Sequence, residues 1–143
     1  MVKNISEEMI VTLIKEAEHM RSVSYAPYSH YTVGAAILTN RGAVITGCNI
    51  ENAAYGDTIC AERCAAFKAV SDGHTKFRAI AICGGKENEL GDYAFPCGSC
   101  RQVLREFSNP TDLLVIVAKS VTDYKVYTLE DLLPESFGPD NLK

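Results

Sequence analysis

At 143 residues the chain is long enough for one compact domain and too short for two ordinary ones. Hydrophobic residues make up 47% and charged residues 22%, a balance that supports a real core and argues against disorder over most of the length. The formal net charge is -4 and the lysines and arginines are scattered, so the basic patch that phosphate binding needs is missing and small-molecule chemistry is favoured over nucleic acid.

The N-terminus turns acidic at Glu7 and Glu8 before any apolar run of leader length develops, and no stretch approaches the roughly 18 apolar residues of a membrane span. A soluble, cytoplasmic protein is the expectation. In that compartment the six cysteines read as core thiols, metal ligands or catalytic groups rather than as disulfides.

Ser6 is placed to cap a first helix, whose apolar positions Ile10, Leu13, Ile14, Ala17 and Met20 keep helical spacing. Pro27 breaks the pattern. Residues 31–39 read as a strand, 40–42 as a turn and 43–48 as its hairpin partner. After a loop over 49–58, residues 60–70 predict a helix stopped by Asp72 and Gly73. Residues 78–83 predict a short buried strand, and 84–95 a polar, glycine-containing loop. Pro96 is expected to open a helix through Phe107. Strands follow over 113–118 and 124–127, then a short helix near 129–133. Strands separated by helices imply an α/β fold with its sheet covered on both faces.

Two short motifs carry chemistry. Cys97 and Cys100, in Pro96-Cys97-Gly98-Ser99-Cys100, lie three apart, about 60° around a helix. Both thiols can face one point in a first turn, where the helix dipole favours thiolate. In Cys60-Ala61-Glu62, the outer residues would diverge on a helix flank, so they can share a site only if the metal lies off the helix end. Three thiolates leave one tetrahedral zinc position for water, the catalytic pattern; a fourth protein ligand would make the site structural. Cys48 and Cys83 read as buried thiols. Cys64, four after Cys60, is the remaining possible extra ligand. His19, His30 and His74 fall outside both motifs and read as surface or turn residues.

These motifs, together with Tyr25-Ala26-Pro27-Tyr28-Ser29, Val33-Gly34-Ala35-Ala36, the run from Gly47 to Tyr55, Arg63, Arg101-Gln102 and Phe137-Gly138, resemble the small homotetrameric zinc-dependent cytidine deaminases. The resemblance spans most of the chain. It implies one catalytic domain over residues 1–143, built as a three-layer α/β/α sandwich around a mixed, five-stranded sheet. It also implies one zinc per subunit on Cys60, Cys97 and Cys100, with Glu62 moving protons while hydroxide attacks the ring carbon bearing the amine. The products are uridine or deoxyuridine and ammonia.

The same resemblance assigns the remaining roles. The Ala61 N–H would meet the base carbonyl, and Tyr31 would stand against the ring where the family usually has phenylalanine. Asn49 and Glu51, two apart in an extended segment and so able to point the same way, would hold the ribose. Ala54 would join the substrate contacts, and Tyr55 and Phe137 would complete a neighbouring subunit's site in a homotetramer. Zinc with three thiolates carries a net charge of about −1, a poor activator of water, and Arg63 is placed to donate to a ligand sulfur and draw off charge. Three other readings differ in what they need. An aminoacylated-nucleoside deaminase would not require the Asn49 and Glu51 pair, a polynucleotide editor would need added basic or aromatic elements, and a non-enzymatic zinc module would need a fourth ligand.

Overall fold

The computed structural model describes residues 5–143; residues 1–4, the first part of the N-terminal segment read above, lie outside that range. Helix α1 (Glu7–Met20) starts at Ser6, whose side chain accepts from the Met9 N–H. Its apolar stripe Ile10, Leu13, Ile14 and Ala17 is buried, the outcome expected of 3.6-residue spacing. Strands β1 (Tyr31–Thr39) and β2 (Val44–Cys48) form the antiparallel hairpin. Helix α2 (Ala61–Ser71), strand β3 (Phe77–Lys86), helix α3 (Gly98–Glu106), strands β4 (Leu114–Ser120) and β5 (Asp123–Thr128) and helix α4 (Leu129–Leu132) complete the order.

The sheet has five strands in the order β2-β1-β3-β4-β5. It is mixed: β3 and β4 pair in parallel, and the other neighbours are antiparallel. Alternation along the strands gives two cores. Ala35, Ile37, Ile80, Ile82, Val115 and Val117 pack with the alanine face of α2 and with Leu104 and Leu129. Ala36, Leu38, Ala79, Ala81, Leu114 and Ile116 pack with α1. The result is the expected three-layer α/β/α sandwich. Helix α2 sits close to the sheet because both sides are small. A Cβ on Gly47 would come 2.5 Å from the Ala65 nitrogen, so any larger residue there would push α2 outward.

Several boundaries differ from the sequence reading by a residue or two, and two of the differences bear on the site. Strand β3 continues past Cys83 to Lys86, because Gly84 and Gly85 pair with Val33 and Thr32 of β1; glycine content alone suggested a loop. Pro96 lies outside α3, and Cys97 is its N-cap. No helix among the described residues is long and apolar enough to cross a membrane.

Candidate metal centre and active site

The starts of α2 and α3 meet. Cys60 caps α2 and Cys97 caps α3, both with extended backbone, and neither sulfur is used as a side-chain cap. A serine or threonine at these positions would turn its oxygen onto the helix amides. Here the sulfurs are left for another partner. Cys100 follows in the first turn of α3 and is fully buried.

The Cys60 and Cys97 sulfurs are 3.8 Å apart and those of Cys97 and Cys100 3.5 Å apart. All three lie within 4.8 Å of one another, the one such group of metal-ligating side chains among the described residues. Zinc–sulfur bonds of ~2.3 Å in tetrahedral geometry place ligand sulfurs about 3.8 Å apart, so the cluster fits zinc. Cys64 is not part of it. Its thiol lies near Cys48, whose own pKa is pushed up by burial and then by the Cys64 charge.

The sulfurs do not share charge equally. Cys60 is lowered to about 5, first by the hydrogen bond from Cys100, then by those from Arg63 and Cys97. Cys100 is raised, because its proton is shared with Cys60 and it is buried. Arg63 Nη2 donates to the Cys60 sulfur at 3.4 Å. That contact, with a second to Cys100, holds the guanidinium firmly charged.

Glu62, next in the helix, is 5% exposed. Burial first, and the Cys60 charge second, push its carboxyl up to about 7. A carboxyl at that value can both take and give a proton near neutral pH.

These groups open onto a pocket of roughly 370 Å³ lined by Cys60, Ala61, Glu62, Cys97, Tyr31 and Asn49, with Val33, Thr58, Ile82 and residues 93–95 completing the wall. That is the size of a small-ligand site. A larger recess, roughly 1010 Å³, lies at the C-terminal end of α3 and contains none of the three cysteines; the chemistry sits in the smaller one.

Asn49 is tied into the fold. Its Oδ1 accepts from the Val33 N–H at 2.9 Å and from the Ser24 hydroxyl, and its Nδ2 donates to the Tyr31 carbonyl at 2.8 Å. One Nδ2 hydrogen is left over. Glu51 lines an adjoining recess with Tyr28, Ser29, Tyr55 and Thr58, and Thr58 borders both spaces. Its Oε1 accepts from the Tyr28 and Ser29 amides at 2.9 and 3.2 Å, and Oε2 from the Ser29 hydroxyl. The Ser29 hydrogen bond leads in holding the carboxyl below its ordinary value.

Ala54, Tyr55 and Phe137 do not line the thiol pocket of their own chain. Ala54 is exposed on its loop. Tyr55 is 75% exposed and meets Tyr28 edge-on at 5.7 Å between ring centroids. Phe137 is 57% exposed. The sequence reading missed Tyr93, Ala94 and Phe95, which immediately precede Pro96-Cys97; that adjacency was the available signal. It also missed Arg21, buried at the end of α1. Its guanidinium donates to the Thr32, Lys86 and Glu89 carbonyls at 3.2, 3.1 and 3.1 Å, tying down the loop that leads to this wall.

Three converging thiols beside a buried carboxyl near neutrality define a metal-dependent hydrolytic site. Residues 7–117 match the family described as cytidine and deoxycytidylate deaminase zinc-binding region, and the chain belongs to that family. A cytidine deaminase of Sporosarcina psychrophila is 44% identical over 130 residues, covering 91% of this chain and 92% of that one. The crystal structure of cytidine deaminase from Burkholderia pseudomallei superposes with a TM-score of 0.79 at 44% identity, over 88% of this chain and 97% of its own. That of Mycobacterium tuberculosis gives 0.78 at 37% identity, over 94% and 99%.

Proposed function

We propose that the chain hydrolytically deaminates cytidine and deoxycytidine to uridine and deoxyuridine with release of ammonia. The observation that carries this reading is a buried carboxyl, Glu62, in one pocket with the zinc-spaced sulfurs of Cys60 and Cys97 and with Asn49. Cys60, Cys97 and Cys100 would hold the zinc, which would supply Lewis acidity that lowers the pKa of water toward neutral.

The chain's own groups do the rest. Glu62 takes a proton from water at its carboxylate, delivers it to the ring nitrogen beside the attacked carbon, and later protonates the departing amine. The Ala61 N–H, at the first helical position of α2, donates to the base carbonyl. Tyr31 walls the ring. Asn49 offers its remaining Nδ2 hydrogen, and Glu51 its ionised carboxylate, to the ribose hydroxyls. Arg63 limits the negative charge of the trithiolate.

Residues 1–143 act as one catalytic unit, and four such units assemble. Ala54 is a substrate contact, and Tyr55 and Phe137 reach a neighbouring subunit's site, a reading supported by the exposure of both aromatics in the single chain. Six free cysteines suit the reducing cytoplasm.

The test is a zinc assay together with the ultraviolet change on mixing with cytidine, and light scattering for the subunit count. Turnover lost in Glu62→Ala with zinc retained supports the reading. Stoichiometric zinc with no turnover of either nucleoside overturns it.

A further inference from the structure

The C-terminal tail carries one exposed aromatic, yet its backbone is pinned on both sides of that residue. Gln102 Nε2 donates to the Phe137 carbonyl at 2.9 Å. Arg105 Nε donates to the Ser136 hydroxyl, also at 2.9 Å. Gly138 lies against the same guanidinium, so closely that a Cβ there would come 2.4 Å from Arg105 Cζ. Its N–H donates to Asn141 Oδ1 at 2.8 Å, closing the turn that ends the tail.

The burial is the reverse of what a lone chain would choose. Arg105 is 9% exposed while Phe137 is 57% exposed. Burying a guanidinium costs free energy that hydrogen bonds and ion pairing recover, here the Ser136 hydroxyl and the Asp140 carboxylate at 3.8 Å, whereas a phenyl ring left in water forgoes the gain of burial. The arrangement makes sense if the arginine fixes the backbone so that the ring points outward at something. Both anchors lie three apart on one face of α3, the helix whose start carries Cys97 and Cys100.

We propose that Gln102 and Arg105 are positioning residues that present Phe137 to a second copy of this chain. One helix then supplies two sulfurs to its own site and sets the aromatic wall of its neighbour's. The inference rests on the cross-subunit reading of Phe137 given above.

The test uses zinc-loaded Arg105→Ala and Gln102→Ala, each alone and co-expressed with a Glu62→Gln chain under a second tag. Alone, each variant is expected to raise KM for cytidine about tenfold, the loss of one aromatic contact, with kcat little changed and zinc still stoichiometric. In the mixed oligomer the Glu62→Gln chains are dead at their own sites but lend an intact Phe137, so KM at the Arg105→Ala sites returns toward the unmutated value. A KM that stays raised in the mixture overturns the positioning role.

Phe137→Ala is run in the same way. If it is rescued by mixing and Arg105→Ala is not, the positioning role fails while the cross-subunit reading stands. If Phe137→Ala leaves KM unchanged, or is not rescued, the cross-subunit reading fails and takes the proposal with it. Should Arg105→Ala not fold, Gln102→Ala, whose side chain is exposed, decides between the same outcomes.

Discussion

Arg63 touches one of the three clustered thiols: its Nη2 lies 3.4 Å from the Cys60 sulfur, three residues earlier in the chain. A thiolate that accepts a charged hydrogen bond donates less electron density to its metal, and partners of this kind typically carry 10- to 100-fold effects. Arg63→Gln is therefore expected to keep zinc while turnover falls by about one to two orders of magnitude, with the pH–rate profile displaced. Steady-state kinetics over a pH series, with zinc measured on the same samples, checks this. Unchanged turnover and an unchanged profile would make Arg63 a bystander.

Glu62 couples stability to pH in the zinc-free protein. Its folded pKa, about 7 against an ordinary 4.5, means the folded state binds more protons than the unfolded one between those values. Its contribution to stability therefore falls as pH rises through that window and is lowest above 7. The penalty is at most about 3 kcal/mol. Zinc-free Glu62→Gln should melt higher than the unmutated protein, with the gap widening from pH 5 to pH 8. A gap independent of pH would contradict the assignment.

Stripping the metal should expose an ordered set of thiol reactivities. Cys60, at about 5, is thiolate at neutral pH and half-buried. Cys83 is buried, and desolvation raises it to about 12. After chelation, brief iodoacetamide treatment at pH 7 is expected to label Cys60 and spare Cys83, as read by peptide mass spectrometry. Zinc added first should protect Cys60.

Asn49 and Glu51 should separate under mutation although both are assigned to the ribose. Asn49→Ala strips partners from the Val33 N–H and the Tyr31 carbonyl, at about 1–3 kcal/mol for each group left unsatisfied. It should therefore lower Tm and raise KM together. Glu51→Gln keeps an acceptor for the 28–29 amides, and should raise KM with Tm nearly unchanged. Calorimetry beside kinetics distinguishes the two; a large Tm loss in Glu51→Gln would mean its carboxylate serves the fold.

The sequence was most legible where local pattern and tertiary demand agree. Residues 31–39 form a continuous run of small and apolar residues that ends at the Asn40-Arg41-Gly42 turn, and β1 has the expected limits; Ser6 caps α1 as its chemistry requires. The cysteine spacing was informative because three ligands of one ion must converge wherever the chain goes. It did not reveal that both Cys60 and Cys97 are helix caps, the detail that leaves their sulfurs unengaged. Arg21 was opaque for a different reason. A cation near the end of an amphipathic helix reads as solvated, and two of its partners, Lys86 and Glu89, lie 65 and 68 residues away. The pocket wall over 93–95 was hidden inside a segment whose composition advertised only a loop.

The direction of β1 gives the molecule a working end and an idle end. Tyr31 pairs with Lys86 at one end of the strand, and Thr39 with Phe77 at the other. Only the first end reaches the thiol pocket. Nine residues of strand put the 40–42 turn about 27 Å from Tyr31. A dye, an affinity handle or a surface tether attached at Arg41, on that exposed turn, is accordingly remote from the three clustered thiols.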